Sequence, residues 1–380
     1  MLTRRHLVLP LVALSILVGA LCAGPRANLP TGDRPVAQIS DSAFWQMVNA
    51  FSEPGGHFRS DNLVSNETTS QHVIPELKKR TAPGGVYIGV GPDQNFTYVT
   101  ALKPRIAFIV DIRRQNMLLH LMYKAIIEMS NDRADFLSRL FSRPRPAGLT
   151  RTSTPQALLE AFNNAPADED LYQSNLRAIM DRLTKYHGFT LINTDRPGIA
   201  YVYRAFFIGG PEMRYSFPRR FGGRWFPSYA DLMTETDTEG HNHSYLANDE
   251  NFQTLREMER GNLIVPLTGD FGGDKSIRAV GQYLREHGAT VSYFYTSNVE
   301  QYLFQSGAWQ KFFGNVATLP IDEKSTFIRA FFNMGVRYPP PGLNGGLQSA
   351  TLLQSMVDAV AAFQSGRIQS YSDVINQSKE

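Results

Sequence analysis

Cysteine is almost absent: Cys22 is the single one in 380 residues, and it lies in an apolar N-terminal stretch. The chain beyond residue 23 therefore has no thiol, which excludes both a disulfide framework and cysteine nucleophilic catalysis there. An excess of one charge is absent too. Lys and Arg number 38 against 35 Asp and Glu, a net +3 that falls to +1 once Arg4 and Arg5 are set aside. So balanced a chain does not suggest a nucleic-acid partner, because that binding leans on clustered Lys and Arg. Two local arginine groups (Arg139, Arg143, Arg145, Arg151 and Arg214, Arg219, Arg220, Arg224) read as solvated side chains. Neither a Gly-x-Ser-x-Gly elbow nor a P-loop is present. His241-Asn242-His243 lacks a nearby Cys or a helical His-x-x-x-His, so the pair reads as loop residues and no metal is expected. Asp111 and Asp270 could hold a hard cation at adjoining strand ends, but no further ligand motif supports it. Internal repeats and low-complexity tracts are missing as well. With 42% hydrophobic and 11% aromatic residues, the chain can bury a large core.

Long apolar runs are confined to the start. Thr3-Arg4-Arg5 precedes a Leu-, Val- and Ala-rich run to Ala23, and no acid occurs before Asp33. Residues 1–23 read as a signal peptide or N-terminal anchor, loosely of the twin-arginine kind, followed by a tether over 24–40. Left uncleaved, the apolar stretch 7–23 is just long enough to span a bilayer and gives the only expected membrane contact. Leu21 stands where a lipobox wants a small residue, which disfavours lipidation of Cys22. The expected location is exported, periplasmic or extracytoplasmic.

The most informative stretch is Gly85 to Glu128. Val86 to Val90 is a short apolar strand running into the turn Gly89-Val90-Gly91-Pro92, where backbone can approach a ligand closely. Asn95 to Leu102 is a helix stopped by Pro104, and Ile106 to Val110 is a buried strand ending in Asp111. Gly91 and Asp111 are 20 residues apart, the spacing of a nucleotide-type βαβ half with a carboxylate for a ribose hydroxyl.

This half, with an N-terminal cap segment, is expected over 41–142, starting with a helix through Phe51 capped by Asp41 or Ser42. The proline-rich break at Arg143-Pro144-Arg145-Pro146 opens an insertion over 143–260. It holds helices at 155–163 and 168–187, the latter closed by Gly188, a strand at 199–208 and a lid-like loop at 209–248. Phe206, Phe207, Tyr201 and Tyr203 there read as core or lid packing. The second α/β half, 261–380, shows a strand at 262–271, a helix at 275–287, a strand at 289–298, a late strand at 325–332 and an amphipathic helix at 347–363. The expected fold class is α/β, a Rossmann-like doubly wound, mostly parallel sheet with a helical, loop-rich insertion.

In such sheets ligands bind outside the carboxyl ends of the strands. Four strand ends carry polar groups: Gly89 to Asn95, with Pro92 and Asp93; Asp111 with Arg113; Thr268 to Phe271, with Asp270; and Thr296 to Tyr302, with Asn298 and Glu300. Turn chemistry could explain each alone. The segment Phe58 to Glu67 adds Arg59, Asp61, Asn62, Asn66 and Glu67 as residues able to meet a polar ligand on the strand ends, or else Ser65 or Asn66 simply caps a helix.

The glycine turn, Asp111, Asp270-Phe271 and a late strand after a helix together resemble the class I S-adenosylmethionine-dependent methyltransferase plan, over roughly 85–141 and 261–333. The resemblance implies S-adenosylmethionine as cofactor, cradled by Gly89, Gly91, Asp93 and Asp111, with Asn298, Glu300 and Tyr302 orienting a small-molecule acceptor. Tyr87 stands where that plan has an acid, and Asp93 where it has a third glycine. The alternative implied is an exported, non-catalytic Rossmann-like domain binding a ligand or protein partner at the same ends. The blocks FSEPGG, SDNLVSNE, VDIRRQN and SNVEQYLF also resemble an uncharacterised family of exported bacterial proteins.

Overall fold

The computed structural model describes residues 38–215, 226–332 and 349–378. The expected leader, the tether up to residue 37, and Arg219, Arg220 and Arg224 lie outside the described residues. Among the described residues six strands form one sheet: β1 (Val86–Gly89), β2 (Ile106–Asp111), β3 (Ile264–Thr268), β4 (Val291–Ser297), β5 (Thr326–Phe332) and β6 (Ser349–Ser355). The order is β3-β2-β1-β4-β5-β6, parallel throughout except for β6, which runs antiparallel beside β5. The order reverses between β1 and β4, the switch point of a doubly wound sheet. Pro266 is tolerated in β3 because that strand is an edge.

Helices α1 (Asp41–Phe51) and α2 (Ile74–Arg80) precede the sheet, and α3 (Gln94–Leu102) links β1 to β2. Between β2 and β3 run α4 (Arg114–Met129), α5 (Arg133–Phe141), α6 (Pro155–Asn164), α7 (Glu169–Asp181), α8 (Asp195–Gly209), α9 (Tyr229–Thr234) and α10 (Asp249–Arg260). A π turn (Arg182–Tyr186) extends α7. Then α11 (Ser276–Glu286) joins β3 to β4, α12 (Val299–Ser306) and α13 (Trp309–Val316) join β4 to β5, and α14 (Met356–Gln364) and α15 (Tyr371–Asn376) follow β6.

The pleat assigns the faces. Phe108, Ile88 and Phe294 are in register across β2, β1 and β4. Phe108 meets Phe51 of α1 and Tyr283 of α11, and Phe294 meets Phe312 of α13. Tyr293 and Tyr295, one residue to either side of Phe294, face α2 and α3: the Tyr293 hydroxyl donates to the Leu77 carbonyl at 3.0 Å, and Tyr295 packs on Tyr98. Both faces are covered, which is why β1, β2 and β3 read as continuous apolar runs.

Three expectations need correction. Residues 199–208 are helical, not a strand: Ile199, Val202, Tyr203 and Phe206 form the buried stripe of α8, while Tyr201 and Ile208 are exposed. The helix expected over 347–363 is two elements, since Ser349–Ser355 pairs with β5 and the Ser355 hydroxyl then caps α14. At the first helix the cap is Ser40, which accepts from the Ala43 N–H at 3.2 Å, rather than Asp41 or Ser42. Most arginines of the first basic group are committed locally: Arg139 to Asp135, Arg145 to Asp132 and Arg151 to Asp249. His241 and His243 both approach Asp237 in the loop after α9. Among the described residues no helix is long and apolar enough to cross a membrane.

A buried ionic network ties α1, α4, α10 and the π turn together behind the sheet. The Lys124 ammonium lies 2.8 Å from Glu128 and 3.9 Å from Glu259. Glu128 also accepts from Arg182 and meets His187, which reaches Asp41 with its other nitrogen. Burial alone would raise the Glu128 carboxyl, but His187 and Lys124 hold it at about 2. Glu259 is more poorly compensated, and burial pushes it up to about 8.

Candidate functional site

A cleft of about 520 Å³ opens over the carboxyl ends of β1, β2, β3 and β4, above the switch point. Its floor starts with the glycine turn. Gly91 has φ +79°, a left-handed conformation suited to glycine, and a Cβ there would meet only open space. Gly89 is glycine for a different reason: a Cβ would come within 1.9 Å of the Asn95 side-chain oxygen. Asn95 clasps the turn from below, donating to the carbonyls of Val90, Gly91 and Pro92 and accepting from the Tyr87 hydroxyl at 2.9 Å. His120 sits 2.9 Å from the Gly91 carbonyl, and burial holds it neutral, with its pKa lowered to about 4.

Asp93, expected to cradle a cofactor, is withdrawn beneath the turn. It is buried and accepts from the Tyr245 hydroxyl at 2.7 Å, and that hydroxyl bonds Tyr229. Burial outweighs the hydrogen bond and pushes the Asp93 carboxyl up to about 7.

Asp111 lines the cleft, but Arg113 engages both of its oxygens. Arg113 donates through its backbone N–H and Nε to Oδ1, at 2.9 and 3.0 Å, and through Nη2 to Oδ2 at 2.8 Å. The pair is nearly fully buried. The remaining guanidinium nitrogen donates to the carbonyls of Ser60 and Asp61, so Arg113 clips the segment before β1 onto the end of β2.

That segment crosses the strand ends in close contact. The Glu53 N–H donates to Thr268 and the Gly56 N–H to Ile112, each at 2.8 Å. A Cβ on Gly56 would lie 2.5 Å from the Ile112 side chain, so the glycine permits the crossing. Asn62 lines the cleft in a left-handed conformation, φ 48°. Neither Ser65 nor Asn66 caps a helix; the Ser65 hydroxyl accepts from the Glu67 N–H, and Asn66 lines the cleft.

Glu67 is the most unusual member. It lines the cleft at 1% exposure, and its Oε1 accepts from the Tyr295 hydroxyl at 2.7 Å and the Ser297 hydroxyl at 2.5 Å. Its Oε2 is buried without a partner among the described residues. Burial pushes this carboxyl up to about 7 despite the two hydrogen bonds. Ser297 has φ 51° beside a register shift in the β4–β5 pairing, a conformation that costs an L residue about 1–2 kcal/mol.

The cleft thus brings together Asn62, Asn66, Glu67, Gly91, Pro92, Asp111, Arg113, Asp270, Phe271, Asn298 and Tyr302. Arg59 sits at its rim, 3.4 Å from the Tyr302 hydroxyl. Asp61 instead accepts from Tyr201 and Gln115. Glu300 does not reach the cleft: Arg329, 1% exposed in β5, takes both of its oxygens at 2.5 and 3.0 Å. Tyr295, Ser297, Ile112, Tyr215 and Leu303 line the cleft without having been singled out. Ser297 lies within the polar strand end Thr296 to Tyr302, but Tyr295 reads as core and Tyr215 gives no signal. Among the described residues no group of three or more His, Cys, Asp and Glu is placed to hold a metal ion.

Among the described lining residues the acids are Glu67, Asp111 and Asp270, and the one Lys or Arg is Arg113, already committed to Asp111. Much of the wall between them is apolar, from Val90, Val110, Ile112, Phe271 and Leu303. No curated protein matches the chain. A family described as Domain of unknown function (DUF7790) matches residues 62–197 and 212–379, most of the chain and nearly all of the cleft. The chain belongs to that family.

Proposed function

We propose that the chain is a methyltransferase-like protein that binds S-adenosylmethionine in the cleft and presents its methyl group to a small-molecule acceptor. The observation that carries this reading is the charge of a cleft set at the switch point of the sheet: three acids, and one arginine already neutralised by Asp111. A dinucleotide or nucleoside triphosphate would bring phosphates to a cleft whose described lining residues include no Lys or Arg besides the committed Arg113, while Arg59 stays at the rim over the Tyr302 ring. A sulfonium with an ammonium group carries positive charge and suits such walls. The ionised Asp111 has about four acceptor positions, and Arg113 uses three, leaving one for a ribose hydroxyl. Ile112, Phe271 and Leu303 offer apolar surface to a base, and the volume falls within the ~300–1,000 Å³ of ordinary ligand sites. Methyl transfer needs chiefly alignment and exclusion of water, and Asn298 and Tyr302 border the acceptor end. An exported location, read from the leader, is compatible with this if the chain folds around the cofactor before export.

A second reading, a non-catalytic domain that binds a ligand or protein partner at the same ends, is favoured by one feature: Arg113 already occupies most of Asp111. Calorimetric titration of the full chain with S-adenosylmethionine and S-adenosylhomocysteine separates the two. Binding of both, weakened about tenfold or more in Asp111→Asn by loss of a charge-assisted hydrogen bond, supports the first reading. Folded protein that binds neither overturns it and leaves the second.

A further inference from the structure

We propose that Glu67 is the recognition point for a protonated amine, which delivers an N–H to the unpartnered Oε2 and so defines the acceptor class of the cleft. Three independent observations meet here. Glu67 lines the cleft, its Oε1 is saturated by Tyr295 and Ser297, and its Oε2 is buried with no donor among the described residues. The carboxyl is thereby fixed in place while half of its accepting capacity stays unused, and such buried capacity is normally filled.

The surroundings select a cation over a neutral donor. Among the described residues, Glu67 acts electrostatically on Tyr87 of β1, Tyr98 of α3, Tyr295 of β4, Glu235 after α9 and Tyr371 of α15. None is basic, and Glu235 is itself an acid with a buried, unpartnered oxygen. A buried carboxylate lacking a countercharge is held poorly, and a cation within hydrogen-bond reach stabilises its charged form. A hydroxyl supplies the hydrogen bond without the charge; an anion meets the acids Glu67 and Asp270, unpaired among the described residues. Recognition of the amine stands on this geometry alone, whereas its role as methyl acceptor rests on the reading proposed above. In that role the sulfonium S–CH₃ bond breaks as the N–CH₃ bond forms, with the amine deprotonated by Glu67 or by water beforehand, so the sulfur takes the bonding pair and leaves neutral.

The test uses 2-phenylethylamine, 2-phenylethanol and 3-phenylpropionate as probes of similar shape, with ligand-observed NMR and calorimetry on the full chain and on Glu67→Gln. The expected order is amine, then alcohol, then acid. Glu67→Gln should weaken the amine about tenfold or more and leave the alcohol within about twofold, the change set by one charge-assisted hydrogen bond. Amine binding near pH 7 should also release part of a proton from the wild type and none from the variant. An amine that binds no better than the alcohol, or an amine preference that survives in Glu67→Gln, overturns the proposal. Thermal unfolding of the variant verifies that it is folded. S-adenosylmethionine binding, measured on the same samples, separates the outcomes. Amine recognition without cofactor binding sinks only the methyltransferase reading, and cofactor binding without amine preference sinks only this one.

Discussion

Arg113→Met is the change whose consequences can be worked furthest. Asp111 and Arg113 have side-chain exposures of 5% and 7%, so neither can turn to water when the other is removed. Without the guanidinium, Asp111 loses contacts at 3.0 and 2.8 Å and keeps only the backbone N–H at 2.9 Å. Breaking a buried pair from one side costs about 3–5 kcal/mol, because the remaining charge is uncompensated. The lost hydrogen bonds to the carbonyls of Ser60 and Asp61 add about 1 kcal/mol. The expected loss is then about 4–6 kcal/mol, or a fall in Tm of roughly 8–12 °C at about 2 °C per kcal/mol for a chain of this size. Asp111→Asn combined with Arg113→Met removes the stranded charge and should recover about 2–4 kcal/mol, a coupling expected only for groups in contact. Equilibrium denaturant unfolding measures both. Limited trypsin digestion adds a local readout, since the segment around Arg59 loses its clip and should be cut faster. A single variant within about 1 kcal/mol of wild type, or a double variant no more stable than the single, would refute the reasoning.

Two further outcomes concern buried charge. Glu67 ordinarily titrates at 4.5 and does so at about 7 in the fold. Below 4.5 both states hold the proton; between 4.5 and about 7 the unfolded chain ionises first and stability falls; above 7 the loss is complete. Glu67→Gln keeps an acceptor for Tyr295 and Ser297, so it should match wild type near pH 4 and exceed it by about 2–4 kcal/mol at pH 8. Denaturant unfolding at the two pH values checks this, and a wild type equally stable relative to the variant at both would contradict it. In the network behind the sheet, Lys124→Met removes the cation 2.8 Å from Glu128 and 3.9 Å from Glu259, but Glu128 keeps Arg182 at 2.7 Å, so the change should destabilise by about 1.5–3 kcal/mol. The cofactor titration should be unaffected by it, since Lys124 does not line the cleft.

The first βαβ half was legible because its signals are local: a glycine turn, a short helix ended by proline, and an apolar strand closing on an acid. What the acids do was not, because that depends on partners brought by other elements. Arg113 follows Asp111 by two residues, the spacing that puts side chains on one side of an extended chain, so their pairing carried a usable signal. Glu300 read as a site residue because it follows a strand end, yet a charged residue inside the apolar run TFIRAFF of β5 demands a buried counterion, and Glu300 is that counterion. Asp93 had no comparable signal. Its partner Tyr245 lies 152 positions away and reaches it through the packing of the long connection onto α3. Residues 199–208 misread as a strand because their aromatic content outweighed a helical stripe that only burial reveals.

Raised carboxyls alone do not single out a functional residue here. Asp93, Glu259 and Glu235 are pushed up by the same burial as Glu67, to about 7, 8 and 9, and none of the three lines the cleft. Asp93 has a tyrosine donor and Glu259 a lysine nearby, so packing accounts for them. Glu235 keeps an unpartnered oxygen, but away from the cleft. Among the described carboxyls only Glu67 combines an unpartnered oxygen with the cleft wall, and two hydroxyls fix its other oxygen, one of them on a residue with φ 51°. A glutamine would satisfy the same hydroxyls without the cost of a buried charge. A carboxyl held there at the expense of stability is the arrangement expected where charge is needed only when a cationic ligand arrives.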